Sequence, residues 1–247
     1  MSLEGLQNAI QKSRNIVCLL GVNASQDCGC LNYRWGDRIY ELESRYGQSP
    51  EEIFSAVFYN TRTKQFFEFY QKEILSTLGT PDACMRTLAK MEKDGKLNAV
   101  VTREIFSLAK RAGCKNVLEL HGSIYQNKCP HCGKEYDIEY MKKGKPVPLC
   151  EKCGATVRPQ VCLVGEMIDN QILTAAVNEI QKADLLLILG CNMSAMLTTT
   201  CVKYFNGDRI VLINEKEHYK DDVADMVYHA KPRDILPKVY PLKNKRI

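Results

Sequence analysis

No apolar run in the 247-residue chain approaches the ~20 residues needed to cross a bilayer; the longest, Leu185 to Leu189 with its flanks, is far shorter. The opening MSLEGLQNAIQKSRN lacks the apolar core of a signal peptide, so a cytoplasmic address and no membrane partner are expected. Neither sign of charge dominates: 34 basic against 29 acidic residues leave +5, which makes no case for DNA or RNA. Internal repeats are absent, and histidine is scarce, at four. With 45% hydrophobic and 26% charged residues, disordered, collagen-like and coiled-coil classes are excluded. At about 150 residues per domain, the length suits one large domain, or one with a modest insert. What stands out against these absences is cysteine, at twelve residues. That is too dilute for a disulfide scaffold, so free thiols or metal ligands are expected.

Short runs rich in Val, Ile and Leu alternate with amphipathic stretches. Residues 16–20, 99–101, 117–120, 185–189 and 210–213 read as buried strands. Ser49-Pro50-Glu51-Glu52 is a capping box with proline at the first helical position, and predicts a helix through IFSAVF. Thr80-Pro81 opens a second helix ending near Gly95; residues 170–183 and 194–205 read as two more. Strands alternating with helices predict an α/β fold, a doubly wound parallel sheet that binds ligands beyond the carboxyl ends of its strands. The polar, Cys-, Gly- and Lys-rich stretch 126–156 breaks the rhythm and reads as an insert, and 26–79 as a helical cap. The division predicted is 1–125 with 157–247 as the sheet domain, carrying these two inserts.

Cys129-x-x-Cys132 and Cys150-x-x-Cys153 have the spacing of a four-thiolate zinc site. Each pair precedes a glycine (CPHCG, CEKCG), which permits the tight turn that aims backbone amides at sulfur. Four thiolates close the coordination shell, so the zinc is structural, and it organises a segment too small to bury its own core. His131, inside the first pair, is a bystander. The other eight cysteines read as small buried side chains; Cys28 and Cys30, flanking Gly29, are the pair to watch for reactivity.

The first strand runs into Gly21-Val22-Asn23-Ala24-Ser25-Gln26, a weak phosphate-loop signal by itself. Four further segments strengthen it: Leu120-His121-Gly122-Ser123 before the cysteines, Arg158-Pro159 with Val164-Gly165-Glu166 after them, Gly190 ending one strand and Asn214 ending another. In this order, over about residues 16–236, the chain resembles the sirtuin (Sir2) family of NAD-dependent protein deacylases.

The resemblance implies an inverted Rossmann-like sheet with a small zinc module and a helical cap, with NAD and structural zinc as cofactors and an acylated protein lysine or other protein substrate as partner. His121 falls on the catalytic histidine: the acyl oxygen displaces nicotinamide from the ribose, and a neutral imidazole then activates a ribose hydroxyl. Gly21, Ser25 and Gln26 fall on the phosphate stretch GAGIS and the residue after it, and Tyr33 and Arg34 on the Phe-Arg over the nicotinamide ribose. Gly190, Asn192 and Ser194 fall on GTS and its following loop, and Asn214 on the adenosine-ribose asparagine. Val161, Gly165 and Glu166 fall on the strand that pairs with substrate peptide. His218 and His229 lie on weakly matching segments.

Departures gather at the nicotinamide end. The family's TQNID is Thr102-Arg103-Glu104-Ile105-Phe106, the loop aspartate is Asn32, GTS is Gly190-Cys191-Asn192, and the second glycine of GAGIS is Asn23. Each lost donor removes on the order of 1–4 kcal/mol of transition-state stabilisation unless replaced. Arg103 and Glu104 read equally as a solvated ion pair at a helix start or as functional, Arg103 then facing a pyrophosphate or a carboxylate on the acyl group. The function expected is NAD-dependent protein lysine deacylation, releasing nicotinamide and O-acyl-ADP-ribose. The alternatives are an ADP-ribosyltransferase or NAD hydrolase, and a non-catalytic NAD or ADP-ribose sensor.

Overall fold

A computed structural model describes residues 2–33, 38–143 and 146–242. Among them nine strands form: β1 (Ile16–Leu20), β2 (Leu97–Thr102), β3 (Val117–Glu119), β4 (Gly122–Lys128), β5 (Glu135–Tyr136), β6 (Arg158–Val161), β7 (Leu185–Leu189), β8 (Arg209–Ile213) and β9 (Met226–Tyr228). The chain divides into two compact units.

The first unit comprises Met1–Cys28, Thr80–Leu120 and Asp169–Ile247. Its sheet has the order β3-β2-β1-β7-β8-β9, with every neighbouring pair parallel. All five residues of β1 and of β7 are buried, as strands covered on both faces must be, which is why they read as unbroken apolar runs. The order reverses between β1 and β7, which pair Leu20 with Leu189; this is the topological switch point of a doubly wound sheet. The helix predicted from Thr80 begins at Ala83, because Asp82 is the cap and accepts the Met85 amide at 3.0 Å. The helix over 194–205 is shorter than predicted, Met196–Cys201, tightening into a 3₁₀ turn over Val202–Tyr204. The edge strand β9, three residues long, carries too little pattern to be read from sequence.

The second unit comprises Gly29–Gly79 and His121–Ile168. It holds the antiparallel sheet β5-β4-β6 and a set of short helices. Ser49 caps as predicted, accepting the Glu52 amide, but the helix stops at Ile53 and another starts at Ala56 under a Ser55 cap. The interruption has a cause: the Phe54 carbonyl accepts the Val164 amide and the Val164 carbonyl accepts the Ala56 amide, each at 3.0 Å. Phe54, Phe66, Phe67, Phe69 and Tyr70 form the fully buried aromatic core of this unit. Beside them the buried Glu73 carboxylate accepts from Arg38, Arg45 and the Tyr46 hydroxyl.

The unit is wider than the predicted insert 126–156. Residues 122–128 and 158–161, assigned in part to the sheet domain, pair with each other as β4 and β6, so they belong with the segment they enclose. The helical excursion joins them through the Val164 bonds and through Gln71, which donates to the Met141 carbonyl at 3.0 Å.

Candidate active site

In the first unit the loops after β1, β7 and β8 converge. Gly21 donates its amide to the Leu189 carbonyl at 2.8 Å, and a Cβ on Gly21 would lie 2.4 Å from the Cys191 Cβ. Gly190 has φ +65°, and a Cβ there would lie 2.5 Å from the Ala24 nitrogen. Two bare backbones therefore meet at the switch point, where any side chain would force them apart. The Asn23 amide donates to the Gly190 carbonyl at 2.9 Å, and its side-chain Nδ2 donates to Asn214 Oδ1 at 3.1 Å. Asn214 is buried and donates its own Nδ2 to the Lys216 carbonyl at 2.7 Å. Ser25 is buried and bonds the Val22 carbonyl, whereas Gln26 is exposed. Asn192 Oδ1 accepts the Ser194 amide at 3.0 Å, and the buried Ser194 Oγ has no hydrogen-bond partner among the described residues. Gly21, Ser25, Gly190, Asn192, Ser194 and Asn214 thus lie together on three adjacent strand ends. The orphaned hydroxyl and the glycine cradle fit a polar ligand approaching close to backbone.

At the end of β2, Thr102 Oγ1 donates to the Leu20 carbonyl at 2.8 Å and accepts the Glu104 amide at 3.1 Å. Glu104 is buried, and its carboxylate oxygens accept the amides of Phe106 at 2.6 Å and Leu108 at 3.1 Å. Of the two equal readings of Glu104, the solvated ion pair is thereby corrected: its carboxylate caps the start of helix Leu108–Ala112 from inside. Burial raises its carboxyl to about 7 against the opposing pull of those two amides. Ser107, between them, has φ +52°. Arg103 is half-buried, and its guanidinium opposes the burial that pushes the Cys201 thiol up to about 12. Phe106 points its ring into the core, 3% exposed.

In the second unit His121 is buried, and its carbonyl accepts the Cys162 amide at 2.9 Å. Gly122 pairs with Val161 at φ +69°, and a Cβ on it would lie 2.0 Å from the Gln160 carbonyl oxygen, so β4 and β6 can close only over glycine. Val161 is buried. Glu166 accepts from Arg158 at 2.5 Å and from the Leu163 amide at 2.9 Å, closing the turn that Gly165 makes at φ +91°. Its carboxylate serves the loop itself. The Tyr33 ring packs on Phe54 with centroids 4.8 Å apart. Arg34 lies outside the described residues.

The four sulfurs of Cys129, Cys132, Cys150 and Cys153 lie within 4.8 Å of one another. In each pair the first cysteine's carbonyl accepts the amide of the following glycine, Gly133 at 3.0 Å and Gly154 at 2.8 Å, both glycines at positive φ. The Cys132 and His131 amides reach back to Cys129 and lower its thiol. At Cys150 burial is outweighed by the Tyr136 hydroxyl, 3.1 Å from sulfur, and by the Lys152 and Cys153 amides, which bring the thiol down to about 6. Four soft sulfur donors gathered this closely, two of them with lowered thiols, fit a tetrahedral zinc ion. Cys28 and Cys30 are both buried, and burial together with the Asp82 carboxylate pushes the Cys28 thiol up to about 12; neither environment is that of a reactive thiol.

A doubly wound sheet with a glycine cradle at its switch point, joined to a four-thiolate module through a histidine-glycine turn, defines a narrow class. The Sir2 family model matches residues 21–196. An NAD-dependent protein deacetylase of Clostridium acetobutylicum is 36% identical over 90% of this chain and 91% of its own length. One from Clostridium perfringens is 34% identical over 95% and 96%. A solved structure bearing on sirtuin substrate affinity superimposes with TM-score 0.86 at 28% identity, covering 97% of this chain and 98% of that one. A Sir2–p53 peptide–NAD+ structure gives 0.82 at 29% identity, covering 97% of each. The chain belongs to the Sir2 family.

Proposed function

We propose that this chain is an NAD-dependent protein lysine deacylase, with His121 as its base. The observation that carries the reading is the His121-Gly122 turn, where a buried imidazole stands at the head of β4 and its backbone is locked to Val161 and Cys162 of the neighbouring segment. An imidazole carried on a backbone so held can, in its unprotonated form, take a proton from a hydroxyl on a ring nitrogen.

Bound NAD would supply a ribose carbon from which nicotinamide departs. On the chain's side, Gly21, Ser25, Gln26 and Gly190 would hold its phosphates, while Asn192, Ser194 and Asn214 would hold the adenosine. Tyr33 and Arg34 would cover the nicotinamide ribose, with Arg103 adding charge beside the cofactor. Val161 and Gly165 offer backbone to an acyl-lysine peptide by strand addition, and Glu166 acts by holding the turn. Cys129, Cys132, Cys150 and Cys153 would hold one structural zinc. A cytoplasmic address fits a chain whose cysteines are free thiols, seven of the eight outside the quartet being buried.

A second reading, NAD cleavage with transfer of ADP-ribose to protein or water, is favoured by one feature: Glu104 and Phe106 stand where the family carries asparagine and aspartate, and both are turned inward. Nicotinamide release assayed with and without acetyl-lysine peptide separates the two. Peptide-dependent release, accompanied by O-acetyl-ADP-ribose and abolished in His121→Ala, is the result expected. Release indifferent to peptide overturns the deacylase reading in favour of the second.

A further inference from the structure

Asn23 stands where the resemblance calls for glycine, and it reaches over the end of one strand to touch the loop after the next. Its backbone is pinned to β7 through the Gly190 carbonyl, and its side-chain amide donates to Asn214 Oδ1 at 3.1 Å. In the strand order β1-β7-β8, this bond runs from the β1 loop across β7 to the β8 loop. Gly190 makes the crossing possible, because a Cβ at that position would collide with Ala24.

The Asn214 amide has two N–H donors and two acceptor lone pairs. One donor goes to the Lys216 carbonyl and one lone pair to Asn23, which leaves one of each and a side chain held at both of its polar atoms. An amide so held presents its remaining donor and acceptor in one orientation, as a ribose diol requires, and loses little rotamer freedom on binding. Without Asn23 only the Lys216 bond remains, and the side chain can swing about it.

We infer that Asn23 is a positioning residue for NAD, fixing Asn214 against the adenosine ribose through a clasp that ties the three loops at the switch point. The inference rests on the assignment of Asn214 to that ribose. Glycine removes the clasp; aspartate places a carboxylate oxygen against Asn214 Oδ1, two acceptors face to face.

Equilibrium binding of NAD to the full chain, together with KM for NAD and kcat, tests this in Asn23→Gly, Asn23→Asp, Asn214→Ala and the Asn23→Gly/Asn214→Ala double variant. Loss of one ordering hydrogen bond predicts that Asn23→Gly raises the Kd and KM for NAD about tenfold with kcat little changed, and Asn23→Asp raises them further. The double variant binds NAD no more weakly than Asn214→Ala alone, because the two residues act through one contact. Thermal melting without NAD checks that each variant is folded. If Asn214→Ala weakens NAD binding while Asn23→Gly leaves it unchanged, or if the two effects simply add, the clasp is overturned. If Asn214→Ala leaves NAD binding unchanged, the ribose assignment itself fails, and the clasp with it.

Discussion

The Glu104 carboxylate accepts the backbone amide of Phe106, two residues on, at 2.6 Å from a buried position. The bond decides how the loop after β2 is built. A carboxylate that caps Phe106 and Leu108 from within holds the chain through the left-handed Ser107 and starts the next helix.

Glu104 gives the fold a pH dependence. Its carboxyl is raised to about 7 from an ordinary value of 4.5 by burial, so the folded state binds this proton more tightly than the unfolded state does. Its contribution to stability is greatest below the unfolded value and is lost as pH rises through the folded one. Relative to Glu104→Gln, which carries no charge, the wild type should therefore lose on the order of 1–3 kcal/mol between pH 5 and pH 8. Denaturant unfolding of both proteins at several pH values measures this, and a wild type gaining on the variant as pH rises would refute it.

Gly122 admits no side chain. With φ +69° and a Cβ position 2.0 Å from the Gln160 carbonyl, Gly122→Ala must spread β4 from β6 beside His121. A destabilisation of about 2–4 kcal/mol is expected, with activity falling even where the protein remains folded. Melting temperature and turnover in the same preparation check it; an unchanged melting temperature would mean that the strands yield easily.

Metal retention depends on Tyr136. Its hydroxyl donates to the Cys150 sulfur at 3.1 Å and accepts the Glu151 amide at 2.8 Å, so it both stabilises a thiolate and orients the second cysteine pair. One zinc per chain is expected, and Tyr136→Phe should weaken its retention against a chelator by about 10-fold or more. Metal content after graded chelation, read beside the melting temperature, gives the answer. Equal retention in both proteins would confine Tyr136 to packing.

Much of this architecture was legible because its signals are local. The apolar runs of β1 and β7, the Ser49-Pro50 cap and the paired cysteines each announce themselves within a few residues. What escaped depends on distant partners or on a local turn of the backbone that residue types do not announce. Nothing near Phe54 foretells that Val164 will take both flanking backbone groups and end a helix. Arg103-Glu104 looks like an exposed ion pair until the amides of Phe106 and Leu108 are seen to turn the carboxylate inward. At Asn23 the only hint was a side chain where glycine was expected; its partner lies 191 residues along the chain.

Reversion toward the family pattern tests whether the loop after β2 can change one residue at a time. Arg103 is half-buried at the edge of the loop, so Arg103→Gln removes a charge without opening a cavity and should shift stability by about 0.5 kcal/mol or less. Phe106 is 3% exposed, and its amide is bound by the Glu104 carboxylate. Phe106→Asp would therefore empty an aromatic site and place a second carboxyl two residues from a buried one, costing about 3–5 kcal/mol. Phe106→Leu, which keeps the site apolar, should cost about half as much or less. Unfolding free energies of the three variants at pH 8, where Glu104 is mostly ionised, order them. Should Phe106→Asp prove as stable as Phe106→Leu, the ring would have to leave the core easily, and the loop would be a mobile element of the site in place of a rigid one.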